Sequence, residues 1–377
     1  MNIVFVVDIV LSGRGGMETA LSLIHDELKR RHHIVILLKG RSADESWEEG
    51  MVTVPLFHKI NNLLPPKYML SMYAAALSNA MKSLLPIDII ISTGSTGVAA
   101  AKMATERLNI RVPVVSWLHF NLDFYVKGFD DLQAADGHLA ISEGNLRDMH
   151  CVFPTKINKL VYNPVRYDDV SYVARPDTPL FLYMGRLAKV KRVNHIMQAL
   201  SPLQDHPWEL HIIGDGEEYE SLLNLAEQLG IHNRVVWHGW RQSPWDVVTR
   251  ATSLLLASDT EPFGLVMTEA LARGIPVISS NCNYGPREIV NQSNGWLYPS
   301  NDLEELTLIL RRVMNGEYRL PSPESCRESV RAFAVETIAE RYEQALEAIK
   351  AGAEASMREL QEQHRVICSQ NVQKIVD

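Results

Sequence analysis

Cysteine is scarce in this chain of 377 residues, with four copies at Cys151, Cys282, Cys326 and Cys368. They form no Cys-x-x-Cys pair and no cluster with histidine. That argues against a structural zinc site and against a disulfide framework, and fits a reducing compartment. No run of about 18 apolar residues occurs, so nothing reads as a membrane span. Met1 to Asp8 has no basic start and breaks at Asp8, which reads as a strand and not a signal peptide. An excess of positive charge is also missing. The formal net charge is −8, which argues against nucleic acid as a partner. There is no Asp-x-Asp pair, hence no obvious ligands for a metal-bridged diphosphate. The first strand is not followed by Gly-x-Gly-x-x-Gly, and Lys39 stands where a nicotinamide dehydrogenase would carry an acid at the end of its second strand. Internal repeats and low-complexity tracts are absent too.

What is present is ordinary for a globular protein: 46% hydrophobic and 22% charged residues. The length favours two domains. About sixteen residues of each sign precede residue 165, so the acidic excess lies in the second half.

Short apolar runs alternate with helix-length amphipathic stretches. In the first half, strands are expected at 3–7, 33–38, 52–55, 88–91, 112–116, 137–140 and 159–161, with helices at 17–31, 67–85, 95–108, 122–133 and 143–150. Such alternation means βαβ crossovers and a parallel sheet. Asn163-Pro164 and the polar stretch to Pro179 read as a linker. The pattern restarts with strands at 180–184, 209–213, 234–238, 253–257, 276–279 and 296–298. Helices are expected near 191–203, 216–229, 244–251, 264–273, 286–291, 302–315 and 328–350. The domains are therefore 1–165, 166–330 and a C-terminal segment 331–377. That last segment is a helix carrying Phe333, Ile338, Tyr342 and Leu346, then a polar, helix-compatible tail with Met357, Leu360, Val366 and Ile367. The fold class is α/β, two doubly wound Rossmann-like domains facing each other across a cleft, with ligands at the C-terminal strand edges.

The loops after the strands carry the chemistry. In Glu261-Pro262-Phe263-Gly264-Leu265-Val266-Met267-Thr268-Glu269, two carboxylates flank a loop entering a helix. The amides of Phe263, Gly264 and Leu265 would offer an anion site, and the carboxylates would accept from hydroxyls, as a nucleotide-sugar requires. Ser12-Gly13-Arg14-Gly15-Gly16-Met17-Glu18 follows the first strand; it suits either a close backbone approach to a ligand or a plain tight turn. His119 follows the strand at 112–116 within Trp117-Leu118-His119-Phe120. It could bond a sugar hydroxyl or be a core histidine. Gly185-Arg186-Leu187-Ala188-Lys189-Val190-Lys191-Arg192 places four cations after a strand. Cations at a helix start oppose its dipole, so Arg186 and Lys191 point to a diphosphate rather than a merely solvated helix start. Gly214-Asp215-Gly216 is a tight turn, Gly239-Trp240-Arg241-Gln242 a plausible edge for a planar base, and Asn283-Tyr284-Gly285-Pro286-Arg287-Glu288 opens a helix near the presumed sugar site.

In this order and spacing, Gly15-Gly16, His119, Gly185-Arg186 with Lys191, Gly214 to Gly216 and the Glu-x7-Glu segment resemble the retaining GT-B glycosyltransferases of family four, over nearly the whole chain to about residue 350. Narrower matches are similar to the enterobacterial lipopolysaccharide core 1,6-galactosyltransferases. They are Gly15-Gly16-Met17-Glu18-Thr19, Val161-Tyr162-Asn163-Pro164-Val165, His211 to Gly216, Gly239-Trp240 with Pro244-Trp245, and Ile278-Ser279-Ser280 with Gly285-Pro286-Arg287.

The resemblance implies a UDP-sugar donor and a metal-free transfer of a hexose, with galactose favoured over glucose or N-acetylglucosamine. The acceptor would be a lipid-linked saccharide of the lipopolysaccharide core. It also implies roles: Gly15 and Gly16 near the donor phosphate, Arg186 and Lys191 on the diphosphate, and Phe263, Gly264 and Leu265 amides on phosphate and sugar. Glu261 would read sugar hydroxyls, Glu269 the ribose, His119 the transferred sugar, and Trp240 with Arg241 the uracil. An acceptor of this class places the enzyme in the cytoplasm, at the cytoplasmic face of the inner membrane. The stretch 56–85, with Phe57, Leu63, Leu64, Tyr68, Met72, Lys59, Lys67 and Lys82, suits either a bilayer surface or a core-facing helix. Rival readings are a UDP-sugar 2-epimerase or polysaccharide synthase on this fold, and a carbohydrate-binding protein with a silent site.

Overall fold

The computed structural model describes residues 1–11, 15–57 and 66–376, without the side chains of 66, 67, 357 and 359–376. Ser12, Gly13 and Arg14, and Lys59, Leu63 and Leu64, lie outside the described residues, as do the side chains of Lys67, Met357, Leu360, Val366 and Ile367. The chain divides into two compact units. Unit 1 holds Met1–Ile141, Leu146–Val161 and Ala339–Asp377; unit 2 holds Ser142–Asn145 and Tyr162–Ile338.

Unit 1 contains β1 (Asn2–Val7), α1 (Gly16–Leu28), β2 (His33–Gly40), β3 (Thr53–Phe57), α2 (Pro66–Lys82), β4 (Ile89–Ser92), α3 (Ser95–Arg107), β5 (Val114–Leu118), α4 (Phe129–Gln133), β6 (Gly137–Ala140), most of α5 (Glu143–Val152) and β7 (Ile157–Leu160). Its seven strands are parallel, in the order β3-β2-β1-β4-β5-β6-β7. Every residue of β4, β5 and β6 is buried. Strands covered on both faces read as continuous apolar runs, and this is why β1, β4, β5 and β6 are legible in the sequence; the partly exposed β3 and β7 also fall within two residues of their expected places. On one face α2 presents Tyr73, Ala74, Leu77 and Met81 to the core, so the helix within stretch 56–85 is core-facing. Tyr68 and Met72 on its other side stay exposed.

Unit 2 contains β8 (Leu180–Met184), α6 (Val193–Leu200), β9 (Glu209–Ile213), α7 (Tyr219–Gln228), β10 (Val235–Gly239), β11 (Ser253–Leu256), β12 (Thr260–Glu261), α8 (Leu265–Ala272), β13 (Val277–Ser280), β14 (Asn283–Tyr284), α9 (Pro286–Ile289), β15 (Gly295–Tyr298), α10 (Leu303–Met314) and α11 (Pro323–Glu328). The six-stranded parallel sheet has the order β10-β9-β8-β11-β13-β15, and β12 pairs with β14 in a separate two-stranded ribbon. Asp302 caps α10 by accepting from Glu305 N at 2.9 Å, with an acid at the third helical position as helix starts prefer. The helix expected at 244–251 does not form. Pro244–Val247 is a single 3₁₀ turn, and the chain then extends into β11. The ribbon and α11 had no counterpart in the sequence reading.

The last helix, α12, runs Val335–Val376, so the tail continues as helix instead of ending near residue 350. From Ala339 onward it belongs to unit 1. Tyr342 packs edge-on against Trp117 at 5.2 Å, Glu343 accepts from His32 at 2.8 Å, and Lys350 reaches Asp88 at 2.6 Å.

Both sheets share one strand sequence. Starting from the first strand of each unit, β1 or β8, two strands follow on one side and the next pairs on the other. The crevice at this switch, beyond the carboxyl ends of the strands, is where open α/β sheets bind ligands. In unit 2 it lies between the ends of β8 and β11.

Candidate functional site

The segments leaving β8 and β11 are knitted together in unit 2. Asp259 N donates to Val190 O at 2.9 Å. Arg192, held in the left-handed region at φ 49°, pairs with Asp259 at 2.7 Å. Between these ties Lys191 Nζ meets Glu261 Oε2 at 2.6 Å, and Ser258 Oγ reaches the same oxygen at 3.3 Å. Glu261 is therefore a buried carboxylate whose charge is met by one ammonium. The Asn283-Tyr284-Gly285 loop closes on it: β14 pairs with β12, and Gly285 N donates to Glu261 O at 3.1 Å.

Chain direction changes at Gly264, whose φ of 91° belongs to glycine. Phe263 before it is buried against Tyr162 and Phe333, with ring centroids at 5.8 and 5.5 Å. An apolar anchor thus fixes the loop while its backbone stays polar. The amides of Phe263, Gly264 and Leu265 donate to no backbone carbonyl among the described residues. They lie at the positive end of α8, a geometry that receives an anion. Lys191 is hydrogen-bonded to a side chain of this same loop.

Arg186 is exposed and pairs with no carboxylate among the described residues. Its carbonyl accepts from the buried Tyr183 hydroxyl at 2.8 Å, so its backbone is fixed while its guanidinium is free to reach an anion. The turns after β8, β9 and β10 are laced side by side: Gly185 N to Ile213 O at 3.0 Å, Leu187 N to Asp215 O at 2.9 Å, and Gly214 N to Gly239 O at 2.9 Å. A Cβ at Gly214 would stand 1.9 Å from Gly185 O, which explains the glycine. At the far end of this row Trp240 is half-buried and Arg241 exposed.

Glu269, one helical turn into α8, is half-buried. Its Oε2 accepts from Trp245 Nε1 at 3.0 Å. Arg273, four residues on, stacks on the Trp245 ring at 4.4 Å and donates to Glu269 O at 3.0 Å. Burial raises the Glu269 carboxyl above its usual range, opposed by the Trp245 N–H and the Arg273 charge. Sequence reasoning assigned no role to Trp245, Ser258 or Asp259. Trp245 sits in the turn mistaken for helix, and neither serine nor aspartate beside Glu261 carries a signal of its own.

Gly15, Gly16 and His119 belong to unit 1. Gly15 caps α1, its carbonyl accepting from Thr19 N at 3.2 Å; a Cβ there would stand 2.6 Å from the Glu18 carboxylate. A Cβ at Gly16 would meet nothing within 4 Å, so packing inside the unit does not demand that glycine. His119 is buried just past β5, its ring 4.3 Å from Trp117, and Nε2 has no hydrogen-bond partner among the described residues. Burial lowers it to about 3, so the imidazole is neutral at physiological pH. Also in unit 1, at the switch between β1 and β4, Asp8 Oδ2 accepts from Gly97 N at the start of α3 at 3.0 Å. Among the described residues no group of three or more His, Cys, Asp or Glu is arranged to hold a metal, and no helix is long and apolar enough to cross a membrane.

Comparison with known proteins agrees with this architecture. Residues 168–333 match the family described as glycosyl transferases group 1. The lipopolysaccharide 1,6-galactosyltransferase of Escherichia coli strain K12 is 32% identical over 335 residues, covering 85% of this chain and 91% of the relative. The solved apo form of the lipopolysaccharide outer core galactosyltransferase WaaB superposes with a TM-score of 0.79 at 29% identity, over 92% of this chain and 99% of that one. Anabaena Alr3699/HepE in complex with UDP-glucose shares the fold at 19% identity, with a TM-score of 0.78 over 92% of this chain and 100% of that one. On its sequence and on its two parallel-sheet α/β domains, the chain belongs to the GT-B glycosyl transferases of group 1.

Proposed function

We propose that this glycosyltransferase moves a galactosyl group from a UDP-sugar to the lipopolysaccharide core, with retention at the anomeric carbon and without a metal. Two relatives support the acceptor and the sugar by what they are called, and the UDP-glucose complex of a protein of the same fold supports the donor class. The observation that carries the chemistry is the Lys191–Glu261 pair beside the amides of Phe263, Gly264 and Leu265. It combines a cation, helix-end donors and a carboxylate in one loop.

In this reading Arg186 and Lys191 neutralise the departing diphosphate, and the α8 amides share its charge, so the negative charge that grows in the transition state meets fixed donors. The bond from the anomeric carbon to the β-phosphate oxygen breaks. A bond from that carbon to the acceptor oxygen forms on the same face, and the acceptor proton passes to the departing phosphate oxygen. Glu261 accepts from sugar hydroxyls, a role that sets it apart from a nucleophile at the anomeric carbon. Glu269 accepts from the ribose, Trp240 and Arg241 hold the base, Gly15 and Gly16 give the donor phosphate room, and neutral His119 lies beside the transferred sugar. Residues 1–165 would select the acceptor and 166–330 hold the donor. The acceptor class leads to work at the cytoplasmic face of the inner membrane.

The test is UDP release with truncated core oligosaccharides as acceptors, in the presence of a chelator, with the anomeric configuration of the product read by NMR. Transfer with retention is expected. Near-wild-type turnover in both Glu261→Ala and Lys191→Ala would refute the site assignment.

A further inference from the structure

We infer that Trp245 is a positioning residue that holds Glu269 turned to receive the ribose hydroxyls of the donor. This rests on the reading of Glu269 as the ribose anchor given above. Trp245 lies in the 3₁₀ turn Pro244–Val247, 24 residues before Glu269, and its indole Nε1 donates to Glu269 Oε2 at 3.0 Å. Oε1 has no hydrogen-bond partner among the described residues. One carboxylate oxygen is thus fixed and the other is left to accept. An indole N–H only donates, so it bonds an ionised carboxylate more strongly than a protonated one. Arg273 stacks on the opposite resource of the same side chain, the ring face, at 4.4 Å, and ties back to the Glu269 carbonyl. The indole is therefore clamped from two sides, and its N–H direction is not free to drift. A vicinal diol needs an acceptor of fixed direction, and that is what this arrangement supplies.

The experiment uses Trp245→Phe, which keeps a ring beneath Arg273 and removes the N–H. Binding of UDP and of 2′-deoxy-UDP is measured by calorimetry for wild type and variant, with KM and kcat for the UDP-sugar alongside. Wild type is expected to prefer UDP. In the variant, UDP affinity falls about tenfold or more, the loss expected for a hydrogen bond to a charged group, and KM follows. The affinity for 2′-deoxy-UDP and kcat stay within about threefold, so the preference for UDP collapses. If the variant loses both nucleotides equally, Trp245 is a merely structural residue and the inference is overturned. If the wild-type protein does not distinguish UDP from 2′-deoxy-UDP while Lys191→Ala still abolishes transfer, the ribose role of Glu269 fails and this inference with it, leaving the rest of the site standing. Thermal unfolding of the variant within a few degrees of wild type shows that the fold is retained.

Discussion

Replacing Lys191 by alanine separates a catalytic cation from a structural one. Its ammonium lies 2.6 Å from Glu261 Oε2, with side-chain exposures of 22% and 12%. Removing one member of a fully buried pair costs about 3–5 kcal/mol, because the other charge is left unpaired. Solvent reaches this ammonium, so the expected loss is discounted to about 2 kcal/mol. Ser258 Oγ, at 3.3 Å, is a weak substitute. The catalytic effect should be larger and of a different kind: losing one preorganised donor to transition-state charge lowers kcat about 10²–10³-fold. The double variant Lys191→Ala with Glu261→Gln decides between the roles. With no uncompensated carboxylate, its stability in denaturant unfolding should return to within about 1 kcal/mol of wild type. Its rate of UDP release at saturating donor and acceptor should stay at the level of the single variant or below. Should Lys191→Ala keep kcat within about threefold, or should the double variant regain activity with stability, Lys191 would serve only to balance Glu261, and the leaving-group argument would be refuted.

Arg186→Ala should behave in the opposite way. The side chain is exposed and unpaired among the described residues, so unfolding should shift by less than about 0.5 kcal/mol, while kcat/KM for the donor falls by at least about tenfold. Gly264→Ala places a side chain at φ 91° and points a Cβ at Met267 Cε, 2.2 Å away. A thermal melt should register about 1–2 kcal/mol of strain, and UDP binding should weaken as the loop amides move. His119 and His138 are both lowered to about 3 by burial. Their folded values lie below the unfolded value of about 6.5, so the unfolded chain binds more protons between those limits and stability falls as pH drops below about 6.5. By pH 5 each should cost about 2 kcal/mol. His138→Gln, read by denaturant unfolding at pH 8 and pH 5, should flatten that dependence. An unchanged slope would mean that His138 is not buried as a neutral ring.

Much of the fold was legible because parallel strands buried on both faces are written as continuous apolar runs. Ile89-Ile90-Ile91 and Leu254-Leu255-Leu256 cannot be mistaken for loops. The Pro244–Val247 region misled for the converse reason. Its apolar spacing suits a helix, but the indole of Trp245 is spent on Glu269 and the ring on Arg273, so a tertiary hydrogen bond outweighed local propensity. The ribbon of β12 and β14 left no trace because two residues carry no periodicity. It exists through the approach of Gly285 to the chain at Glu261 and Phe263, where an added Cβ would stand 1.8 Å from Phe263 O.

Taken alone, the sequence determined the two runs of alternating strands and helices, the glycine-bearing turns, and which residue types crowd the strand ends. All of these are local properties, set by side-chain shape and period. Only the tertiary structure decided partnership. Lys191 and Glu261 stand 70 positions apart, and it is the order β9-β8-β11 that brings their loops to one switch point. Tyr342 joins Trp117 across more than half the chain because α12 returns to unit 1. His119, which the sequence left between catalyst and core residue, is buried and neutral by virtue of that packing. The charge state of a side chain depends on what surrounds it in space, and no spacing along the chain encodes that.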